Sequence, residues 1–296
     1  MHLTNKYNLQ VAMVHAVENM IYDPRGRDPR RIGITQLISN PLPRMLTLKH
    51  YDELEEDISD HIWRIAGSGM HEVLSRAGQN KAKSGNMLIE EKLEQKVGAW
   101  TVVGKLDHYD GSELTVSDYK ITSIWSVRFG EHTEWEEQLN PYAWLLRRCG
   151  FEVNKLQICA LLKDWRKGER AKDPGGYPPI PFQVIPVKLW PLHKQEAFIQ
   201  QRLEVYENAL KVAVEDLEVC SPKERWAKKD VFAVVKNALK KSSRNLDTLE
   251  EAQAWAAENI KGKDTFRIDK RPGEDMKCME YCNVRAFCKH GKTLDG

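Results

Sequence analysis

The chain has 296 residues, and its hydrophobic fraction of 41% is high enough to exclude wholesale disorder and to allow a core in one large domain or two modest ones. The formal net charge of only +2 excludes a globally basic surface, so any contact with nucleic acid must be local. No apolar stretch is long enough to cross a bilayer, and no secretory signal is evident, so a cytoplasmic location without membrane contact is expected.

The predicted elements change in kind along the chain. The first 80 residues are mostly helical, the next forty alternate like antiparallel strands, and helices and strands then follow in turn, which predicts an α/β fold. The predicted elements are a short helix capped by Thr35 and ended by Pro41, a helix at about 52–76, strands within 86–120 with turns at Gly98 and Asp110-Gly111, a helix at 133–149 ended by Gly150, strands at 154–162 and 182–190, a helix at 191–216, a strand at 231–236 and a helix capped by Thr248.

Two aspartates and a lysine within these strands are the first candidates for chemistry. Asp118 and Lys120 are two residues apart in an alternating segment, so they share one face of a strand, and Asp107 on the neighbouring strand is expected to face the same way. Carboxylates suit Mg²⁺ or Mn²⁺, which lower the pKa of a bound water, and a lysine can orient that water or stabilise a phosphate. An exposed Asp/Lys pair without a function is the alternative.

Further motifs lie on both sides of these strands. His71 falls in a helical segment, and Gln138 and Tyr142 are separated by one helical turn. In chain order the motifs are His71, Gly104-x-x-Asp107, Asp118-x-Lys120 and Gln138-x-x-x-Tyr142. Over about residues 60–165 this ordered set resembles the RecB-like branch of the PD-(D/E)XK nucleases, which includes the nuclease domains of RecB and AddB and the CRISPR-associated RecB-like exonucleases. The flanking sequence is most similar to uncharacterised phage and prophage nucleases.

The resemblance implies a particular fold and organisation. The implied fold is a PD-(D/E)XK restriction-endonuclease-like core, in which helices flank a mixed central sheet. The implied regions are a helical N-terminal region at 1–80, the nuclease core at 81–190, and a helical, cysteine-bearing C-terminal region at 191–296 packed on the core.

The resemblance also implies a role for each motif residue. The implied metal ligands are His71, Asp107, Asp118 and the backbone carbonyl of Tyr119. The implied catalytic and substrate-contacting residues are Asp107, Asp118, Lys120, Gln138 and Tyr142. An early acidic residue of the family corresponds to Glu90 or Glu91; alternation does not decide between them, and Glu91 is taken as the catalytic candidate.

Pro141 departs from the helical pattern between Gln138 and Tyr142. Proline removes a helical hydrogen bond and clashes with the preceding turn. The helix therefore either begins at a capping box at Thr133 and bends near Glu137, or it begins at Pro141 and leaves Gln138 outside.

Cysteines close to the C-terminus suggest a second metal site. In a reducing compartment, the spacing of Cys278, Cys282 and Cys288 favours a metal over disulfides, and thiolates select zinc or an iron–sulfur cluster. Several RecB-like nucleases carry a 4Fe–4S cluster whose last three cysteines lie in such a run, so the resemblance implies a cluster here.

The fourth ligand of that cluster differs from the family pattern. The family's fourth cysteine usually precedes the nuclease core, whereas this chain has no cysteine before Cys149, and Cys220 is the best remaining candidate. Zinc, with His290 as an alternative ligand, and unligated thiols are the other possibilities. Cys149 and Cys159 are expected in the apolar core.

The function that the resemblance implies is a metal-dependent deoxyribonuclease, and more specifically an exonuclease in phage or bacterial recombination and repair. The alternatives are an inactive nuclease fold that binds DNA or a recombination partner, and a structural metal–thiolate protein. The implied partners are DNA and a phage single-strand annealing protein, recombinase or helicase; a phage-encoded protein would act in the bacterial host cell. The segment Lys163–Lys167 is the preferred DNA contact, because Trp165 could stack on a base.

Overall fold

The computed structural model describes residues 1–79, 87–130, 132–237, 239–260 and 265–294. The chain forms two units, Met1–Leu217 and Glu218–Gly296. The predicted start of the first long strand at residue 86 lies outside the described residues. Among the residues that are described, no helix combines the length and the hydrophobicity needed to cross a membrane.

The first unit contains a central sheet and the helices around it. Its strands are β1 (His2–Thr4), β2 (Arg31–Gly33), β3 (Glu55–Asp57), β4 (Met87–Val97), β5 (Trp100–Asp110), β6 (Thr115–Thr122), β7 (Lys155–Leu162) and β8 (Phe182–Val187). Its helices are α1 (Val11–Met20), α2 (Ile34–Leu37), α3 (Pro41–His50), α4 (Ile62–Gln79), α5 (Ile124–Phe129), α6 (Thr133–Arg148), α7 (Lys167–Lys172) and α8 (Leu192–Ala209), with short 3-10 turns at 51–53, 58–61 and 214–216.

The central sheet is mixed. β5 pairs with β4 along its length in antiparallel fashion, with parallel β2 beside its first residues and antiparallel β6 beside its last. β6 and β7 run parallel, which requires a long crossover, and α5 and α6 provide it. β8 closes the order as an antiparallel neighbour of β7. The carboxyl ends of β6 and β7 therefore lie side by side.

The apolar face of α6 forms much of the core. Its buried side chains are Leu139, Ala143, Trp144, Leu145 and Leu146, and α2 and α8 also contact this helix. One buried residue of α6 is polar: Asn140 has no exposed surface. Its side chain accepts from Trp190 N at 2.7 Å and from Gln195 Nε2 at 3.1 Å, and it donates to the carbonyls of Glu136 and Lys188.

We expect Asn140→Ala to lower the free energy of unfolding by about 2–4 kcal/mol, because it leaves buried donors and acceptors without partners. Urea denaturation followed by circular dichroism measures the change. Asn154→Ala, at an exposed position, is the control and should alter stability little. Equal stability of the two variants would show that the amide network is not a stabilising feature.

The N-terminal helices differ from the sequence prediction at their ends. Asn40 caps α3 by accepting from Leu42 N, and Pro41 starts that helix instead of ending the previous one. Asp57 forms a capping box with Asp60, so the segment before it is a strand and a 3-10 turn instead of the beginning of a long helix. α8 ends at Ala209, earlier than predicted.

The second unit is a small sheet covered by a helix. Its strands are β9 (Val231–Lys236), β10 (Arg244–Leu246) and β11 (Phe266–Arg271), with β9 in the centre of an antiparallel order, and its helices are α9 (Leu249–Asn259), α10 (Met276–Glu280) and α11 (Lys289–Lys292). The predicted cap of α9 is present: Thr248 Oγ1 accepts from Glu251 N at 3.1 Å. Val234, Ala252 and Ala256 form the buried centre. The predicted C-terminal region at 191–296 includes α8, whereas this helix belongs to the first unit.

Candidate active site

Helices and strands of the first unit bring most of the motif residues together. The side chains are His71 on α4, Glu90 on β4, Asp107 on β5, Asp118 and Lys120 on β6, and Gln138 and Tyr142 on α6. The sheet order explains this convergence, because β5 lies between β4 and β6 and α6 crosses beneath the sheet to reach β7.

Three of these side chains form a group that could hold a metal ion. One ligand atom from each of His71, Glu90 and Asp107 lies within 4.8 Å of the others. His71 Nδ1 is 3.2 Å from Glu90 Oε1 and 3.3 Å from Asp107 Oδ1. All three side chains are less than a third exposed, so a bound ion would lose much of its water. Two carboxylates and an imidazole form a donor set that suits Mg²⁺, Mn²⁺ or a related divalent ion.

The charges in this group raise the pKa of His71 to about 9, mainly through its hydrogen bond to Asp107 and secondarily through Glu90. On the opposite side of the ring, His71 Nε2 lies 3.2 Å from the carbonyl oxygen of Tyr119. In its protonated form the ring can donate from Nδ1 to the acids and from Nε2 to this carbonyl. The carbonyl at Tyr119, one of the implied metal ligands, is adjacent to this group.

Without divalent metal, we expect the free energy of unfolding to depend on the protonation of His71. A group whose pKa rises on folding stabilises fully below its ordinary pKa of 6.5, and this stabilisation is lost as the pH rises through about 9. The stability difference between the wild type and His71→Asn should therefore narrow from pH 6.5 to pH 9. Urea denaturation in chelator measures it, and a difference that does not change with pH would contradict the assigned pKa.

The early acidic residue beside the metal group is Glu90, which corrects the choice of Glu91. Glu91 is exposed and pairs in register with Leu106, whereas the carboxylate of Glu90 lies 3.2 Å from His71 Nδ1. The backbone explains the difference, because Glu90 has a φ of 53°. This left-handed conformation breaks the alternation of the strand, so the sequence pattern could not identify the residue.

Lys105 is a residue of this site that sequence analysis missed. Its Nζ lies 2.5 Å from Glu90 Oε2, although the lysine side chain is largely exposed. A signal was present, because Lys105 and Asp107 are two residues apart on one strand, the same spacing as Asp118 and Lys120.

Asp118, Lys120 and Gln138 form a second, interlocked group. Gln138 Nε2 donates to Asp118 Oδ1 at 3.0 Å, and Lys120 Nζ donates to Gln138 Oε1 at 2.9 Å. Lys120 Nζ also lies 2.9 Å from Asp118 Oδ2. Burial raises the pKa of the Asp118 carboxyl, and the ammonium of Lys120 opposes that effect. The lysine is thus fixed by two partners beside the most buried acid of the site.

The two groups are joined through the backbone of β6. Tyr119, between Asp118 and Lys120, donates its N–H to Asp107 Oδ2 at 2.8 Å. One oxygen of Asp107 therefore fixes the strand that carries the lysine, while the other faces His71.

Tyr142 closes the site next to Gly104. Burial raises the pKa of Tyr142 well above its ordinary value, and the nearby charges of Asp118 and Asp107 add to this effect. A Cβ at Gly104 would lie 2.7 Å from Tyr142 Cε1 and 2.7 Å from Ile34 Cδ1. The glycine of the Gly-x-x-Asp motif therefore allows α6 to approach the strand closely.

Pro141 lies inside α6, which runs from Thr133 to Arg148, so Gln138 is helical. The alternative in which the helix starts at Pro141 is excluded. The cap differs from the predicted capping box, because His132 is the N-cap residue and makes no side-chain cap hydrogen bond.

The segment Lys163–Lys167 does not present Trp165 for stacking. The indole of Trp165 donates from Nε1 to the carbonyl of Pro178 at 2.9 Å and lies against the ring of Tyr177. This side chain therefore fixes the loop that precedes β8.

The two cysteines that were expected in the apolar core differ in their burial. None of the six cysteines forms a disulfide; Cys159 is buried, whereas Cys149 is exposed beyond the end of α6 and is not a core residue. The four candidate ligands, Cys220, Cys278, Cys282 and Cys288, are partly buried and all belong to the second unit.

The candidate cluster ligands influence one another electrostatically. Burial raises the pKa of Cys220 to about 11, and Cys282 and Cys278 contribute to the rise. Burial and then Cys282 raise the pKa of Cys278, and Cys288 raises that of Cys282 further. The thiols are therefore within electrostatic reach of one another, although no three of them, all described residues, have their sulfur atoms within 4.8 Å of one another. The alternative ligand His290 is engaged elsewhere, since its Nε2 lies 2.6 Å from Asp275 Oδ2.

Comparison with known proteins defines the class of protein to which this fold and site belong. The model of the PD-(D/E)XK nuclease superfamily matches residues 12–289. The chain therefore belongs to the PD-(D/E)XK nuclease superfamily, and its mixed central sheet flanked by helices confirms the predicted fold class.

Two solved structures are similar to parts of the chain. The crystal structure of SSO0001 shares 15% sequence identity, with a TM-score of 0.44, over 65% of this chain and 84% of that chain. The phage related exonuclease from Haemophilus somnus 129PT shares 12% identity, with a TM-score of 0.38, over 66% of this chain and 98% of that chain. No curated protein matches. The assignment to the superfamily therefore rests on the family match.

Proposed function

We propose that the chain is a metal-dependent deoxyribonuclease that hydrolyses phosphodiester bonds from DNA ends. The observation that carries this proposal is the pairing of an imidazole–carboxylate group, His71, Glu90 and Asp107, with a fixed lysine, Lys120, beside a buried acid. Membership of a nuclease superfamily supports phosphodiester hydrolysis. Action at ends, and a role in phage or bacterial recombination, follow from the resemblance to the RecB-like branch.

The residues present fit a divalent ion. His71, Glu90, Asp107, Asp118 and the carbonyl of Tyr119 are the groups that would hold it. When bound, Mg²⁺ or Mn²⁺ supplies a polarised phosphoryl oxygen and a water of lowered pKa. Because the imidazole of His71 is protonated at neutral pH, it must lose its proton before it can act as a ligand.

The protein's own contribution is to position and to stabilise charge. Lys120 cannot swing freely, because Gln138 and Asp118 both bind its ammonium. Held in this way, the ammonium can orient the attacking water and stabilise the negative charge that develops on the phosphate. Gln138 and Tyr142 lie on the α6 side of the site, where they can contact the DNA strand next to the scissile phosphate.

The proposal is tested by digesting end-labelled linear single strands, linear duplexes and a closed circle, each with Mn²⁺ or Mg²⁺ and with chelator. We expect metal-dependent loss of the linear substrates and survival of the closed circle. Cleavage of the circle would replace the exonuclease assignment by an endonuclease. No cleavage of any substrate would favour an inactive nuclease fold that binds DNA.

We also propose that Cys220, Cys278, Cys282 and Cys288 hold one metal centre, a 4Fe–4S cluster. Their partial burial, their electrostatic influence on one another and their place in one unit support this proposal, since thiolates are the ligands that iron–sulfur clusters require. The backbone aligns the two segments that carry them: Lys277 N donates to Arg225 O at 3.0 Å, and Lys228 N donates to Glu274 O at 2.9 Å. Zinc or unligated thiols are the outcomes that would replace this proposal.

A further inference from the structure

Three aromatic side chains near β6, the strand that carries Asp118 and Lys120, are unusually exposed. Trp63 is 63% exposed, Trp125 is 67% exposed and Phe129 is 65% exposed. All three lie on elements that are close in sequence to site residues. Trp63 is on α4, the helix that carries His71, and Trp125 and Phe129 are on α5, which begins four residues after Lys120. Large exposed apolar side chains beside a functional site indicate a binding surface.

The exposed helix α5 is fixed to the ends of β6 and β7. Asp164 Oδ2 accepts from Ser123 Oγ at 2.6 Å, and its Oδ1 accepts from Ile124 N at 2.8 Å. Lys163 N donates to the carbonyl of Thr122 at 3.0 Å. The aromatic side chains of α5 are therefore held next to the strand that carries Asp118 and Lys120. Both carboxylate oxygens of Asp164 are occupied by these hydrogen bonds.

The aromatic faces are accompanied by cations. Lys163 Nζ lies 4.5 Å from the centroid of the Trp63 ring. Trp125 and Phe129 stack on one another at 5.2 Å with an angle of 29° between the rings. Arg128 lies 5.2 Å from the Phe129 ring, but its guanidinium also pairs with Asp173 at 2.8 Å. Lys163 is therefore the main cation of this surface.

We infer that Trp63, Trp125, Phe129 and Lys163 form an aromatic surface that holds the single-stranded part of a DNA substrate, an inference that rests on the proposed nuclease function. Flat rings bind the faces of bases, and only unpaired bases present their faces. The nearby ammonium suits the phosphates between those bases, which favours a nucleic acid over an apolar protein partner. The surface continues from the catalytic strand, so a strand stacked there would lead into the site.

Binding measurements test this surface independently of cleavage. Fluorescence anisotropy with a labelled oligothymidine of about 20 nucleotides and with a blunt duplex is measured in Ca²⁺, and a gel checks that each probe stays intact. We expect the double variant Trp63→Ala/Trp125→Ala to bind the single strand at least about tenfold more weakly than the wild type does. The double variant Trp63→Phe/Trp125→Phe should retain most of the affinity, because it keeps an aromatic ring at each position. Tyr22→Ala is the matched control, because Tyr22 is 50% exposed and has Arg27 4.3 Å from its ring.

The contribution of Lys163 is distinguished from that of the rings by the salt dependence of DNA binding. Lys163→Ala should weaken the binding of single strand and duplex alike and reduce the slope of log K against log salt by about one, whereas the aromatic variants should leave that slope unchanged. Thermal melts verify that every variant is folded, and the single variants Trp63→Ala and Trp125→Ala are used if the double variant unfolds.

Two results would overturn the inference. One is unchanged single-strand affinity in the folded alanine variants, and the other is a loss of affinity that phenylalanine does not restore. A wild type that binds single strands through these rings but cleaves no DNA would instead contradict the proposed function and leave the aromatic surface in place.

Discussion

Lys120→Ala is expected to lower the rate of DNA cleavage by about 10³-fold or more while the protein stays folded. Asp118 and Gln138 both hold the ammonium of Lys120 in place, so the substitution removes the group that we propose orients water and stabilises phosphate charge. Asp118→Asn should have a similar effect, because the amide carries no negative charge to fix the lysine. Initial rates on end-labelled linear DNA in Mn²⁺ measure both variants.

Lys155→Ala is the matched control for this experiment. Lys155 is also a lysine on the sheet, but it lies at the opposite end of the β6–β7 pair, is 62% exposed and pairs with exposed Glu113. We expect near wild-type cleavage, since an exposed ion pair contributes little. Robust cleavage by both Lys120→Ala and Asp118→Asn would contradict the assignment of the site.

The second large effect is expected at the cysteines. Wild-type protein purified without oxygen should be brown, absorb light at about 400 nm and contain about four iron atoms per chain. Cys282→Ser should lose the colour and most of the iron, and the unit Glu218–Gly296 should become sensitive to protease, because metal binding and folding are coupled in small metal-bearing units. Iron analysis, absorbance and limited proteolysis measure these changes.

Cys149→Ser is the control for this second prediction, because Cys149 is exposed and belongs to the other unit. It should keep its colour and its iron content. Colourless wild-type protein with stoichiometric zinc would replace the cluster by a zinc site. Colourless protein without metal would show that the thiols are unligated.

The sequence predicted which side chains lie together wherever those side chains follow regular periodicity. Asp118 and Lys120 share a strand face, and Gln138 and Tyr142 share a helix face, and the structure brings these pairs together. Pro141 did not displace Gln138, because α6 accommodates the proline within its length. The order of the motifs also identified the superfamily that the family comparison shows.

The remaining features depend on information that periodicity does not contain. The alternation that buries Leu93 places Glu91 on the same face, yet the backbone at Glu90 reverses this pattern. The expected stacking residue, Trp165, makes a hydrogen bond within its own loop, whereas Trp63 and Trp125 are exposed. Such outcomes are decided by tertiary contacts, which a single sequence does not reveal.

The backbone conformation of Glu90 has opposite consequences for stability and for activity. A left-handed φ in a residue other than glycine costs on the order of 1 kcal/mol or more, and here that conformation aims the carboxylate at His71. Glycine would relax the backbone but remove the carboxylate. Glu90→Gly would therefore exchange the ion pairs with His71 and Lys105 for an unstrained backbone, and selection for turnover should retain the glutamate in spite of its backbone cost.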